Sequence, residues 1–313
     1  MTTDIVLAVD LGGTNLRMAA VGRDGKIFSH AKTESHNAND PKKLIDALIT
    51  LADECRSTLT EPYKLVGIGA GVPANRTDGV LQTLPNLPGL EGMNLKADLE
   101  AQFSVPAIIE NDATAAAIGE NWLGASKDVR DSIMITLGTG VGGAIIINND
   151  PLRGIDGTAG KLGHICVEPD GHPCGCGSHG CIEQYASATA IVRMARESGL
   201  NVSTSFEVYQ LAIGSEPGAI ATGSNTEKAR EVFQKMARYL GITLAGLVNA
   251  LNPEMIVIGG GAAAAWDAFI DPLTAELRYR AFKEPTQRLK IVSAALADNA
   301  GLLGAARSVF LCS

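Results

Sequence analysis

Apolar residues gather in short, unbroken runs along the chain: IVLAV (5–9), LVGIGAGV (65–72), VPAIIE (105–110), SIMITL (132–137), MIVIGG (255–260) and KIVSAAL (290–296). Their length and β-branching predict strands buried on both faces. Between several of them the apolar positions take helical spacing, over 41–59, 186–199 and 226–251. Strands alternating with helices predict an α/β fold. No low-complexity linker or charge run divides the chain, so a domain boundary must fall in an ordinary turn or helix.

Glycine-rich turns punctuate this pattern. GTGVGG (138–143) has the spacing of a dinucleotide fingerprint, which requires a helix next; the strand-like AIIINND follows instead. DLGGTN (10–15) is likewise followed by the extended LRMAAVGRDGKIF, broken by the hairpin signal Asp24-Gly25. No GxxxxGK[ST] occurs, which excludes a P-loop. Two units of strand, glycine turn and strand, with IGGGAAA at 258, predict a duplicated fold whose backbone amides face a shared phosphate chain. The plainer alternative is two tight hairpins.

Composition narrows the partners. With 313 residues, 46% of them hydrophobic and 19% charged, the chain reads as a soluble globular protein of one large or two ordinary domains. A net charge of -8 without a Lys/Arg block argues against nucleic acid or anionic membrane as partner. MTTDIVLAVD has no basic n-region and carries an acid within its short apolar run, so neither a signal peptide nor a span is expected. The expected location is cytoplasmic, where thiols stay reduced and clustered cysteines bind metal or do chemistry.

Such a cluster is present. GHPCGCGSHGC (171–181) holds three of the six cysteines and two of the five histidines. Cys174, Cys176 and Cys181 need one more ligand for a closed tetrahedral zinc site, and His164, His172 and His179 are candidates between which spacing does not choose. CxC is not CxxC, so a thioredoxin-like redox site is not expected, and four protein ligands leave no open position for hydrolysis. Cys55, Cys166 and Cys312 lie outside the pattern. Asn111 and Asp112 stand between the strand-like VPAIIE and the helix-like DATAAAIGENWLG. The carboxyl end of a parallel strand is where α/β sheets place ligands, and a carboxylate there can accept a hydroxyl proton; capping the helix is the competing role.

DLGGTNLR (10–17), GAGVP (69–73), NLPGL (86–90), END (110–112), LGTGVGGA (137–144), GHICVEPDGHPCGCGSHGCIE (163–183), IGGGAA (258–263) and DNAGLLGAA (298–306) follow one another in an order that closely resembles the ROK family of sugar kinases. The histidine and cysteine segment is its most specific part. The resemblance implies an actin-like ATPase (ribonuclease H-like) fold of two lobes, with a central cleft that closes over ATP and sugar. The expected lobes are 1–112, joined by a C-terminal helix at about 298–313, and 113–297, which carries a zinc loop at 164–181. It implies phosphate contacts at Gly12, Gly13, Thr14, Asn15, Gly138, Thr139 and Gly140, an adenosine-side turn at Gly260 and Gly261, and Asp10 facing Mg²⁺ directly or through water. Capping its own turn is the competing role for Asp10.

The same resemblance selects His164 as fourth ligand of a structural zinc, assigns Asp112 as general base, and implies sugar contacts from Asn86, Asn111, Asp112, His164 and Glu183. Its expected activity is ATP-dependent phosphorylation of the 6-hydroxyl of glucose, in a homodimer or homotetramer. Alternatives are a kinase for N-acetylglucosamine, N-acetylmannosamine, fructose or allose, or a sugar-sensing regulator, which would need a helix-turn-helix before a first strand that here begins by Ile5. An actin-like ATPase without a sugar acceptor is a third. Two positions depart from the family. Lys161 stands where many members have a sugar-contacting Glu, and an ammonium only donates hydrogen bonds, so it is expected to pair with Glu183 or face solvent. Leu90 replaces an aromatic after the PNLPG turn.

Overall fold

The computed structural model describes residues 2–73, 76–77, 79–82, 84, 87–214 and 223–312. The chain begins β1 (Thr3–Leu11), β2 (Asn15–Gly22), β3 (Ile27–Glu34), α1 (Pro41–Ser57), β4 (Tyr63–Val72), β5 (Arg76–Thr77), β6 (Val80–Leu81), α2 (Leu95–Phe103), β7 (Ala107–Asn111) and α3 (Asp112–Leu123). It continues β8 (Ser132–Leu137), β9 (Val141–Ile147), β10 (Asp150–Pro151), α4 (Glu183–Ala186), α5 (Ala188–Glu197), α6 (Ser205–Ile213), α7 (Gly223–Leu251), β11 (Met255–Gly259), α8 (Trp266–Arg280), α9 (Lys283–Arg288), β12 (Lys290–Ser293) and α10 (Ala300–Cys312). Two compact units emerge: Met1–Arg130 with Ala144–Gly160 and Ala295–Ser313, and Asp131–Gly143 with Lys161–Ala294. The first break falls after Arg130 rather than at 112, so α3 belongs with α10 in the first unit.

The first unit is built on a sheet of order β3-β2-β1-β4-β7, antiparallel among β1, β2 and β3 and parallel among β1, β4 and β7. β1 and β4 read as continuous apolar runs because both their faces are covered, whereas the edge strand β3 is polar and half exposed. Ile5, Leu7, Val9 and Leu11 of β1 pack with Leu44, Leu48 and Leu51 of α1, while Val6 and Ala8 pack with Leu302, Ala305 and Val309 of α10. Helix α1 starts where expected, with Pro41 at its first turn and the Asp40 side chain accepting the Lys43 N–H at 3.1 Å. The Asp24-Gly25 hairpin joins β2 to β3, with Gly25 at φ +82°. Close approach of α10 to α3 needs residues without side chains: a Cβ on Gly304 would collide with the Ala115 carbonyl, and one on Gly119 with that of Ala300. A buried Glu120 of α3 then ties the chain entering α10, accepting the Ala295 and Leu296 amides at 3.0 and 2.8 Å.

In the second unit β8, β11 and β12 are parallel, pairing Ile133 with Ile256 and Ile256 with Ile291. Helix α7 shows the i, i+4 spacing of its buried face, Val232, Met236, Leu240, Leu244 and Val248. Phe269, Leu273 and Leu277 line the buried side of α8, which continues through Pro272. Among the described residues no helix is long and apolar enough to cross a membrane.

Candidate functional site

In the first unit, sheet register sets the site. Asp10 pairs with Gly71, and Gly71 with Glu110, so Asp10, Asn111 and Asp112 stand together at the carboxyl ends of β1 and β7. The β1–β2 turn closes with Gly12 N–H donating to Asn15 O at 2.9 Å, and the Ser35 N–H holds Thr14 O at 2.9 Å. Arg17 lies 3.9 Å from Asp10 and 3.1 Å from Asp298. Burial pushes the Asp10 carboxyl up to about 6 against the pull of Arg17, and the charges of Asp112 and Asp298 push the same way. The capping role falls mainly to Asn111, whose Oδ1 accepts the Ala113 and Thr114 amides at 3.2 and 3.4 Å; Asp112 follows as first residue of α3, its Oδ1 2.8 Å from the Ala113 amide. Asn86 lies outside the described residues.

In the second unit, the β8–β9 turn repeats the device: Gly138 N–H donates to Gly140 O at 2.9 Å. Gly260, at φ +88°, lies against the start of that turn, where a Cβ would stand 2.5 Å from Leu137 O; this brings the 260–261 turn beside it. Glu183 is the junction with the cysteine loop. Its Oε2 accepts the Val141 N–H at 3.0 Å, its Oε1 lies 3.9 Å from Cys174 Sγ, and Gly140 has no side chain because a Cβ there would collide with Oε2. Two further bonds join the same segment to the turn, from Ala188 N–H to Gly138 O at 2.8 Å and from Thr189 Oγ1 to Thr139 O at 2.9 Å. Sequence reading missed Thr189, which sits in the unremarkable run SATAI; only the tertiary contact exposes it.

The loop between 164 and 181 decides which histidine joins the thiols. His164 Nδ1 lies 3.6 Å from Cys174 Sγ, Cys176 Sγ lies 3.6 Å from Cys181 Sγ, and the four ligand atoms are all within 4.8 Å of one another. A tetrahedral zinc with Zn–S near 2.3 Å and Zn–N near 2.0–2.1 Å sets its ligand atoms roughly 3.6–3.8 Å apart, so the donor set is compatible with zinc in both chemistry and size. His172 turns away to Arg193 and to Glu197, 3.5 Å distant, and His179, paired with Pro173 through its backbone, is not one of the four clustered residues. Burial pushes the Cys181 thiol up to about 12, whereas the Ser178 N–H draws Cys176 down. The loop is held by its own backbone, through Cys174 N–H to Ser178 O and Val167 N–H to Gly180 O, both 2.8 Å. Outside it, Tyr239 of α7 donates to Glu168 at 3.1 Å and stacks on Tyr185, centroids 4.1 Å apart. Lys161 is exposed just before His164. Cys166 and Cys312 are exposed and Cys55 is buried, apart from the cluster.

Known proteins are similar to the chain along nearly its whole length. A glucokinase of Halalkalibacterium halodurans is 36% identical, the match covering 95% of this chain and 92% of that protein. The crystal structure of a ROK family glucokinase from Streptomyces griseus, in complex with glucose and AMPPNP, superposes with a TM-score of 0.77 at 32% identity, covering 97% of this chain and 98% of that one. That of a ROK hexokinase from Thermus thermophilus superposes with a TM-score of 0.81 at 30% identity, covering 98% of each. The α/β fold is thus the actin-like ATPase fold of these enzymes. With the ROK family model matching residues 6–309, the chain belongs to the ROK family.

Proposed function

We propose that the chain is an ATP-dependent hexose kinase that phosphorylates the 6-hydroxyl of glucose. One observation carries the reading: the Glu183 carboxylate bonds the Val141 amide of a glycine turn and lies beside the His164, Cys174, Cys176 and Cys181 cluster. A group able to accept sugar hydroxyls, a closed metal-ligand set and an amide-lined turn are thereby parts of one body. The Streptomyces griseus relative, whose structure contains glucose and an ATP analogue, supports sugar and nucleotide as the two ligands.

In the reaction the sugar 6-oxygen forms a bond to the γ-phosphorus, the bond from that phosphorus to the β–γ bridging oxygen breaks, and ADP leaves. Asp112 accepts the hydroxyl proton as the bond forms. Asn111, its Oδ1 committed to the helix cap, offers its side-chain amide to a sugar oxygen. With Gly12 N–H and Gly138 N–H committed to their own turns, the amides of Gly13 and Thr14 and those of Thr139 and Gly140 are the ones offered to phosphate, and the 260–261 turn borders the adenosine. Asp10 would hold Mg²⁺ directly or through water, which supplies charge neutralisation along the phosphates when bound. His164, Cys174, Cys176 and Cys181 would hold a structural Zn²⁺, whose chemistry is to order the loop. With Nδ1 turned to the thiols, His164 has its other ring nitrogen for a sugar hydroxyl.

Initial rates of coupled ADP production with glucose, N-acetylglucosamine, N-acetylmannosamine, fructose and allose test the reading. Glucose is expected to give the highest kcat/KM. A preference for an N-acetyl sugar would overturn the glucose assignment and leave the kinase; ATP turnover indifferent to sugar would overturn both.

A further inference from the structure

The geometry points to Thr189 as a positioning residue for the donor phosphates: its hydroxyl holds the 138–141 turn in the orientation that presents amides to an anion. The inference rests on the kinase reading above. A turn binds an anion only if its N–H groups face the ligand and its carbonyls, the negative ends of the same peptide dipoles, face away. The carbonyls of residues 138, 139 and 140 are each engaged within the chain: Gly138 O by the Ala188 N–H at 2.8 Å, Gly140 O by the Gly138 N–H at 2.9 Å, and Thr139 O by Thr189 Oγ1 at 2.9 Å. The first two are backbone bonds that most sequences would make. Only the third depends on a side chain.

Its placement is specified locally. Ser187 is the N-cap of α5, its buried hydroxyl accepting the Ala190 N–H at 3.1 Å, which sets the helical phase that aims residue 189 at the turn. β-Branching then restricts the Thr189 rotamer. Glu183, six residues earlier at the start of α4, bonds the same turn by accepting the Val141 N–H. The segment that follows the last cysteine of the cluster therefore bonds the turn at residues 138, 139 and 141. The first turn, by contrast, has its Thr14 carbonyl held by a backbone amide, that of Ser35. Thr189 is exposed, so it is not needed to fill the core.

The test compares Thr189→Val, which keeps the shape and removes the donor, with Thr189→Ser, which restores it. Calorimetric titration with Mg-ADP, KM for ATP, KM for glucose and hydrogen exchange at the bonded amides of 138, 141 and 188 are measured on full-length, metal-loaded protein. Thr189→Val is expected to weaken Mg-ADP about five- to tenfold and raise KM for ATP alike, the size of one lost hydrogen bond, with KM for glucose within about twofold. Exchange at 138, 141 and 188 is expected to quicken by a similar factor, and Thr189→Ser to return all readouts to near wild type. Mg-ADP affinity unchanged in Thr189→Val, both KM values rising equally, or no recovery in Thr189→Ser would overturn the assignment. Failure of the wild type to bind Mg-ADP would overturn the kinase reading instead, and the exchange comparison would then decide alone whether Thr189 holds the turn.

Discussion

In the first glycine turn Gly12 N–H closes on Asn15 O, in the second Gly138 N–H closes on Gly140 O, both at 2.9 Å. The surroundings then diverge. Beside the first turn stand charges: Asp10, Arg17 3.9 Å away and Asp298 3.1 Å beyond, with Asp112 near enough to shift Asp10. The second turn, LGTGVGG, has no ionisable residue of its own and is braced by Glu183, Ala188 and Thr189. The same backbone closure thus occurs twice, once among several ionisable side chains and once braced by the segment that follows the cysteine-histidine cluster.

The largest effect expected on the charged side comes from the base. Asp112→Asn keeps the shape and loses the proton acceptor, so kcat should fall about a thousandfold while KM for glucose moves only a few fold. Steady-state rates decide it, and near-wild-type turnover would remove Asp112 from the mechanism.

A pair of alanine substitutions contrasts the two turns. Gly140→Ala drives a Cβ into the Glu183 carboxylate, whereas in Gly12→Ala the new atom stands 3.3 Å from Asn15 O. Denaturant unfolding should show Gly140→Ala losing about 1–3 kcal/mol and Gly12→Ala less than about 1 kcal/mol. Equal losses would mean that the brace behind the second turn is slack.

A change of opposite sign is expected at Asp10. Its folded pKa of about 6 lies above the ordinary 3.8, so the ionised carboxylate opposes folding; that opposition is absent below about pH 4 and complete above about pH 6. Without magnesium, Asp10→Asn should stabilise the protein by about 2–3 kcal/mol at pH 8 and by nothing near pH 3, as read by thermal melts. A destabilised Asp10→Asn at pH 8 would show that the Arg17 pair outweighs burial.

Much of this was legible in residue order. Buried parallel strands announce themselves as unbroken apolar runs, and SIMITL became β8 without a residue's change. Asp24-Gly25 and Asp40-Pro41 mark a hairpin and a helix start by local chemistry alone. Local chemistry could not choose among His164, His172 and His179, since the choice depends on how the loop folds back so that residue 164 meets residues 174–181. Glu120 carries no local signal for its role, since it is wholly buried and meets the amides of 295 and 296 only through the fold. Thr189 and Glu183 act on the 138–141 turn across more than 40 residues of sequence, and no local pattern encodes such a pairing.

The account stands most directly on the metal. Elemental analysis of the purified chain, coupled to glucose titration before chelation, after it and after zinc is returned, is predicted to find one zinc per chain and at least about tenfold weaker glucose binding without it, restored on reloading. Absence of stoichiometric zinc, or glucose affinity indifferent to its removal, would contradict the claim that a zinc-held loop orders the sugar and phosphate contacts.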